Sequence, residues 1–288
     1  MQRIYAILKK VAPKAEEAIK WGDPFFIEPR FVFAFSAHKS RAKTTPSGNA
    51  PLAKLWQTLQ PSITTKPEDI PMALRINDLV PNFTAETDQG SITFHDWIGT
   101  GWAILFSHPK DFTPVCTTEF GAVAQLADEW AKRGTKVIGV SVDGVAAHQK
   151  WKVDIEGFSG AKAGFPIIAD EGLAVSKAFD MLPAEAYLPD GRTAADTATV
   201  RSVFIIGPDK KLKLSMTYPM SVGRNFAEVL RALDALQLTF NVPLATPANW
   251  TTGQDVIVAL SLNDDQAREK YGSIDIKLPY LRTTPAPK

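Results

Sequence analysis

Continuous apolar runs alternate with helical patterns through the middle of the chain. Four runs rich in β-branched and aromatic residues have the length and composition of buried strands. These are WAILFSH (102–108), KVIGVSV (136–142), FPIIA (165–169) and RSVFIIG (201–207). Between the first two runs, residues 117–134 place apolar side chains at helical spacing and end in Lys132, Arg133 and Gly134, as a helix C-terminus does. The order strand, helix, strand predicts a βαβ unit with a parallel pair of strands.

The pattern that follows predicts two more helices and an antiparallel strand. VAAHQKWKVDI (145–155) is the next helical segment, and RNFAEVLRALDALQL (224–238) is strongly amphipathic. PDKK (208–211) indicates a turn, after which LKLSMTYP (212–219) pairs antiparallel with the strand before it. Residues 72–238 therefore form an α/β domain whose central sheet is flanked by helices.

The two ends of the chain differ from this domain. Residues 1–71 form an N-terminal extension and linker: VAPKAEEAIKW (11–21) predicts a helix, FVFAFSA (31–37) a strand, and residues 40–71 are rich in Pro, Ser and Thr.

At the other end, residues 239–288 predict a short strand at DVIVAL (255–260) and a helix at NDDQAREKY (263–271). We interpret this part as a small C-terminal domain or arm.

Composition narrows the class of protein. The 288 residues carry a net charge of +1, which does not suggest nucleic acid as a partner. No apolar run approaches the ~20 residues of a membrane span. The single cysteine rules out an internal disulfide, so we expect a reducing compartment, the cytoplasm. MQRIYAILKK lacks the apolar core of a secretory signal, and Glu16, Glu17 and Asp23 disfavour a transit peptide.

The only cysteine lies in HPKDFTPVCTTEF (108–120), where the first parallel strand meets its helix. Pro114 suits the first helical position, and Thr113 suits the capping position before it. Cys116 then falls in the first turn, where free backbone N–H groups and the helix dipole favour a thiolate. In open α/β sheets the chemistry sits at the carboxyl ends of strands. A reactive thiolate is the favoured interpretation, and an inert buried thiol is the alternative.

Three charged or titratable residues are further candidates. Arg201 opens a buried strand, where a charge needs a partner, so a structural ion pair is as good an interpretation as a catalytic cation. His108 ends the strand beside Cys116 and suits a structural or a catalytic role equally. Arg224 suits the solvated start of its helix as well as a role near the pocket.

The spacing P-x-x-x-T-x-x-C, from Pro109 through Thr113 to Cys116, resembles the active-site motif of the peroxiredoxin family. The segments VPNFTAETDQGSITFHDWIG, FPIIAD and VRSVFIIGPDKKLKLSMTYP are similar to the one-cysteine subgroup, from about Met72 to the C-terminus. The resemblance implies a thioredoxin-like α/β fold with a central mixed sheet.

The same resemblance assigns roles to the candidate residues. Cys116 is then the peroxidatic cysteine, and Thr113 and Arg201 hold the thiolate and the peroxide oxygens. Pro109 shields the site and His108 lines it. Arg224 resembles a second arginine near the pocket.

The implied activity is a thiol peroxidase that reduces hydrogen peroxide and organic hydroperoxides through a cysteine sulfenic acid, in antioxidant defence. It needs no cofactor or metal. With one cysteine the reductant is external, and glutathione, thioredoxin, glutaredoxin and ascorbate remain open. The resemblance also implies a homodimer to which residues 239–288 contribute. Two alternatives are a chaperone that holds unfolded clients and a one-thiol isomerase or transferase, which would be expected to carry a C-x-x-C motif that this chain lacks.

Two departures limit what is carried over. Mammalian members of the subgroup have a lipase-like Gly-Asp-Ser-Trp-Gly motif, but Gly101 stands in place of the serine here, so we expect no phospholipase activity. Residues 1–71 have no counterpart in the family. APKAEEAIKWGDPFF and FVFAFSAHKS resemble a fragment of a small bacterial domain of unknown function.

Overall fold

The computed structural model describes residues 74–183 and 198–287 and, ahead of them, the backbone of three short strands. The chain divides into two compact units, Met1–Pro71 and Met72–Lys288. In the first unit, β1 (Glu16–Lys20), β2 (Asp23–Glu28) and β3 (Phe31–Ala34) form an antiparallel sheet.

In the first unit, one element predicted from the sequence is wrong and another is confirmed. The helix expected over 11–21 is wrong where the structure describes it, because β1 pairs along its whole length with β2. Such pairing overrides the modest helix propensity of Ala, Glu and Lys. The strand expected at 31–37 is confirmed in its first half, and the linker expected over 40–71 lies outside the described residues.

The second unit is built on a seven-stranded mixed sheet in the order β10-β9-β6-β7-β8-β4-β5. The strands are β4 (Thr84–Thr87), β5 (Gly90–Thr93), β6 (Trp102–Ser107), β7 (Thr135–Ser141), β8 (Ile167–Ala169), β9 (Arg201–Ile206) and β10 (Leu212–Tyr218). The parallel pair β6 and β7 and the antiparallel pair β9 and β10 are as predicted. The helices are α1 (Phe94–Ile98), α2 (Pro114–Gln125), α3 (Ala127–Lys132), α4 (Val145–Ser159), α5 (Ala174–Ala178) and α6 (Phe226–Thr239).

Helices cover both faces of this sheet. Trp102, Ile104 and Phe106 of β6 belong to a core with α2, α4 and α6, whereas Ala103 and Leu105 belong to a second core with α1 and α5. Successive side chains of a strand point to opposite faces, and here both faces are buried. This explains why β6 is apolar from Trp102 to Phe106.

One predicted helix is two helices. The pattern over 117–134 is interrupted at Leu126, between α2 and α3. The Leu126 backbone N–H donates to the Val123 carbonyl (3.3 Å), a tighter turn than an α-helix makes, and the buried Trp130 indole donates to the same carbonyl (3.1 Å). The interruption therefore lets Trp130 turn back into the core.

The C-terminal part is a small antiparallel sheet with its own core. Its strands run in the order β11 (Leu244–Ala245), β12 (Val256–Val258), β14 (Leu281–Thr284) and β13 (Asp275–Leu278), with α7 (Asp264–Tyr271) between β12 and β13. The strand and helix expected here are confirmed. Ala235 and Leu238 of α6 pack against the core of this sheet, which ties it to the α/β domain.

Candidate active site

The candidate site begins where β6 ends. The segment 108–113 leads from β6 into α2, which starts at Pro114, so Thr113 is the capping residue as predicted. Its hydroxyl donates to the Lys110 carbonyl (2.9 Å) instead of capping the helix. Because no described side chain caps α2, the N–H groups of its first turn remain free to bind an anion. Cys116 lies in this turn and is 0% exposed.

Arg201, the first residue of β9, is the cation nearest the sulfur in the hydrogen-bond network. Its Nη1 donates to Cys116 Sγ (3.3 Å) and to Glu119 Oε2 (2.7 Å). Its Nε donates to the Met220 carbonyl (2.8 Å). Three bonds fix the guanidinium in a buried position, so its charge acts on the sulfur at short range and with little screening.

Glu119 joins the two arginines of the site. It lies one turn after Cys116 on the same face of α2 and accepts hydrogen bonds from Arg201 Nη1 (2.7 Å) and Arg224 Nη2 (2.7 Å). Arg224 Nε and its backbone N–H also donate to Glu119 Oε1 (2.9 and 2.8 Å). Burial raises the pKa of Glu119, but the hydrogen bonds and charge of Arg224, with the charge of Arg201, outweigh it and hold that pKa below its ordinary value.

Arg224 is buried, so the expectation of a solvated helix start is wrong for it. Besides Glu119 it donates to the carbonyls of Ser107 (2.8 Å) and Ser202 (2.9 Å), which lie on β6 and β9. Burial lowers the pKa of Arg224, and Glu119 opposes this. Arg224 therefore acts on the site through Glu119 and the two strands.

His108 is buried at the end of β6. Its Nε2 bonds to Asp111 Oδ1 (2.7 Å), and its Nδ1 has no partner among the described residues. The ring stacks on Trp151 (4.9 Å between ring centroids) and meets Phe120 edge-on (4.5 Å). Burial lowers the pKa of His108 despite Asp111, which favours the neutral imidazole.

Pro109 and Thr113 complete the predicted set. Pro109 is buried and follows His108 directly, while Thr113 is half-buried. The Thr113 carbonyl accepts from the Thr117 hydroxyl (2.9 Å), which in turn accepts from the Trp151 indole (3.1 Å). The first turn of α2 is thereby tied to α4.

A group of possible metal ligands lies beside this segment. His108, Asp111 and Asp143 offer ligand atoms within 4.8 Å of one another. Hydrogen bonds account for their closeness, since Asp143 Oδ2 accepts from the Asp111 backbone N–H (2.8 Å) and the Ser141 hydroxyl (3.1 Å). We assign no metal to this group.

Sequence reasoning missed Glu119, Asp111 and His148. Part of the signal for Glu119 was present, because a charge such as Arg201 at the start of a buried strand requires a partner and Glu119 stands one turn from the cysteine. Asp111 and His148 were missed because their contact joins residues 37 positions apart, although the other partner of Asp111, His108, is only three residues away.

The comparisons with known proteins agree with this geometry. The model of the AhpC/TSA family matches residues 76–215, and that of the C-terminal domain of 1-Cys peroxiredoxin matches residues 235–273. Peroxiredoxin PRX1, mitochondrial, of Saccharomyces cerevisiae is 49% identical over 73% of this chain and 80% of its own length. The chain belongs to the peroxiredoxin family. Peroxiredoxin-6 of Gallus gallus is 47% identical over 75% of this chain and 99% of its own length.

Solved peroxiredoxins share the fold. A mutant of peroxiredoxin 6 of Arenicola marina covers 75% of this chain and 100% of its own, with 45% identity and a TM-score of 0.69. A yeast mitochondrial 1-Cys peroxiredoxin covers 74% and 99%, with 47% identity and a TM-score of 0.68. The predicted thioredoxin-like fold and the predicted thiol peroxidase activity are confirmed. This one-cysteine peroxiredoxin is an oxidoreductase.

Proposed function

We propose that Cys116 is the peroxidatic residue of this enzyme and that Arg201 stabilises both its thiolate and the leaving oxygen. The observation that carries the proposal is the 3.3 Å contact between Arg201 Nη1 and Cys116 Sγ, in a site where Glu119 holds the arginine. Pro109 excludes water from one side. Thr113 and the free N–H groups of α2 orient the peroxide, and Arg224 positions Glu119.

The oxidative step follows from this arrangement. The thiolate of Cys116 attacks the terminal oxygen of ROOH, an S–O bond forms and the O–O bond breaks. RO⁻ leaves and takes a proton to become ROH, while the sulfur loses two electrons and becomes a sulfenic acid. Negative charge moves from sulfur to the leaving oxygen, and the fixed Arg201 guanidinium stabilises that charge without reorganisation.

The reductive step needs an external thiol, because the chain has one cysteine. A thiol R′SH attacks the sulfenic acid, releases water and leaves a mixed disulfide. A second thiol then displaces Cys116 and restores the cycle. We put glutathione first and thioredoxin second as reductants, ahead of glutaredoxin and ascorbate. In the yeast mitochondrial relative, the thiol resolving mechanism proceeds via glutathione/thioredoxin systems, which supports placing these two reductants ahead of glutaredoxin and ascorbate.

Assembly and location complete the proposal. The enzyme forms a homodimer, for which the outer edge of β10, the last strand at one end of the seven-stranded sheet, and residues 239–288 offer contacts. A monomer mass in light scattering at micromolar concentration would contradict this. We place the enzyme in the cytoplasm, as its single cysteine suggests, and fractionation of cells that express the full chain tests it. Across residues 74–183 and 198–287, no helix combines the length and hydrophobicity needed to cross a bilayer.

Intact mass spectrometry tests the role of Cys116. One equivalent of peroxide adds one oxygen atom to the wild type, and excess peroxide without reductant adds two or three. Cys116→Ser takes up none and loses turnover, whereas Arg201→Lys, which keeps the charge but not the fork, slows oxidation by roughly 10²-fold. Peroxide turnover by Cys116→Ser would refute the proposal.

A further inference from the structure

Three buried side chains beside the active site form a continuous hydrogen-bonded chain. His108 Nε2 bonds to Asp111 Oδ1 (2.7 Å), and His148 Nδ1 bonds to Asp111 Oδ2 (2.7 Å). His148 Nε2 in turn bonds to the carbonyl of Ile168 (3.2 Å). The peroxidase steps above use none of these bonds, yet two of the four histidines of the protein take part in them. We refer to the three side chains as the His-Asp-His chain.

The hydrogen-bond partners determine how many protons the His-Asp-His chain holds. A carbonyl oxygen only accepts, so His148 Nε2 carries a proton. The contacts of Asp111 with His108 and with His148 each need one proton between nitrogen and oxygen as well. The three hydrogen bonds together therefore require three protons. Two neutral imidazoles and an ionised carboxylate supply only two. The His-Asp-His chain therefore holds one additional proton, shared between His148 and Asp111, and has no net charge.

The His-Asp-His chain ties the active-site segment to two other parts of the fold. Asp111 lies within the segment that runs from Pro109 to Thr113, whereas His148 belongs to α4 and His108 directly follows β6. The Asp111 backbone N–H is also held, by Asp143 Oδ2 (2.8 Å). Asp111 is thus the point at which the segment is fixed from two sides.

The residue after Asp111 is held in an unfavourable backbone conformation. Phe112 has a φ of 54°, in the left-handed region that bulky side chains seldom occupy, and its ring is 54% exposed. Nothing is gained by burying the ring, so the flanking contacts impose this conformation. They are those of Asp111 on one side and the Thr113 hydroxyl on the Lys110 carbonyl on the other. Release of Asp111 would let the segment relax.

The catalytic cycle needs such a release. Cys116 is fully buried, and the segment leads directly into its helical turn. Peroxide is small, whereas the reducing thiol must reach the sulfur with its own sulfur in line. We propose that Asp111 and His148 are positioning residues that latch the segment 109–113 in the closed arrangement required for peroxide, and that opening of the His-Asp-His chain admits the reducing thiol. This inference rests on the proposed role of Cys116.

Two substitutions of His148 separate the latch from simple packing. The amide of Gln reaches the place of Nε2, so His148→Gln keeps a donor for the Ile168 carbonyl but loses the bond to Asp111. The amide of Asn stands at the place of Nδ1, so His148→Asn keeps the donor to Asp111 and loses the other bond. Both remove the aromatic ring and both remove one hydrogen bond, so a packing role would affect them alike.

Single-turnover kinetics of the full chain provide the test. One mixing experiment measures oxidation of Cys116 by hydrogen peroxide, and a second measures reduction of the sulfenic acid by glutathione. We expect His148→Gln to slow the first and accelerate the second, each about tenfold, the scale of one charge-assisted hydrogen bond. His148→Asn restores most of both rates. Phe112→Gly, which accepts a positive φ without strain, slows the glutathione step and keeps the measurement informative if His148→Gln does not fold.

The outcomes distinguish the latch from the proposed function. Equal loss of both rates in the Gln and Asn variants would overturn the latch, and so would unchanged rates in His148→Gln. In either case an inactive Cys116→Ser would leave the peroxidatic role of the cysteine standing. If Cys116→Ser retained turnover, the proposed function itself would fail.

Discussion

Glu119 accepts hydrogen bonds from two buried arginines and is itself buried. Glu119→Gln leaves Arg201 and Arg224 without a counter-charge, so we expect it to lower the free energy of unfolding by about 3 kcal/mol. Urea denaturation measures the change. Glu129→Gln is the matched control, because Glu129 is a half-exposed partner of Lys132 and Arg133, and we expect this substitution to change the free energy of unfolding far less than Glu119→Gln does. Equal effects would mean that the buried network adds no stability.

Glu119→Gln should also change how the free energy of unfolding depends on pH in acid. Because the folded-state pKa of Glu119 lies below its ordinary value of 4.5, its contribution is complete above that pH and is lost as the pH falls through the folded-state pKa. The difference in unfolding free energy between wild type and Glu119→Gln should thus be constant down to about pH 5 and shrink below pH ~4.5. Asp111 titrates in both proteins and cancels. A difference that grows on acidification would contradict the assignment.

The positions of residues within an element could be predicted from the sequence where the information is local. Cys116, Thr113 and Pro109 lie within one short motif, and the structure puts Cys116 in the first turn of α2. Glu119 was missed because its partners lie 82 and 105 residues further along the chain. The Thr113 hydroxyl was expected to cap α2, and instead it closes its own loop onto Lys110. Position along the helix was predictable, but side-chain direction was not.

At the scale of elements, α2 and α4 approach closely at a glycine. A Cβ on Gly121 would stand 2.9 Å from Ser159 Cβ, so Gly121→Ala forces the two helices apart. We expect a loss of about 1–3 kcal/mol in unfolding free energy, despite the better helix propensity of alanine.

Gly157 supplies the control for this substitution. It is exposed on α4, and an added Cβ has no described atom within 4 Å. Gly157→Ala should therefore stabilise the protein by up to ~1 kcal/mol, the propensity difference alone. Thermal or urea unfolding of both variants measures the contrast. Stabilisation by both would show that the helices yield without cost.

Helices and strands with a clear pattern of apolar residues were predicted from the sequence. Elements whose position depends on tertiary contacts were not. Strands β6, β7 and β9 are buried on both faces, and their continuous apolar runs disclose them. The short β4 and β5, and α1 after them, are only four or five residues long and were missed. The interruption at Leu126 depends on where the Trp130 indole lies in the fold, which no local pattern contains.

At the scale of the whole molecule, the sheet order could not be derived from periodicity. Strand β8 lies between β7 and β4, which are far apart in the sequence, and the order depends on crossover connections. The resemblance to peroxiredoxins supplied the mixed sheet that the pattern alone left open. In the N-terminal unit the helix propensity of residues 11–21 misled, because pairing between strands decides the structure there.

Deletion of residues 1–71 tests how far the enzyme is contained in the second unit. Met72–Lys288 is a compact unit, and Cys116, Arg201, Glu119 and Arg224 all belong to it. We expect the shortened chain to retain kcat/KM for hydrogen peroxide within about tenfold of the full chain, since tenfold is only ~1.4 kcal/mol of barrier. Steady-state turnover with glutathione and a thermal unfolding curve on both proteins provide the comparison. A larger loss, with an unchanged unfolding temperature, would show that the extension contributes directly to the reaction.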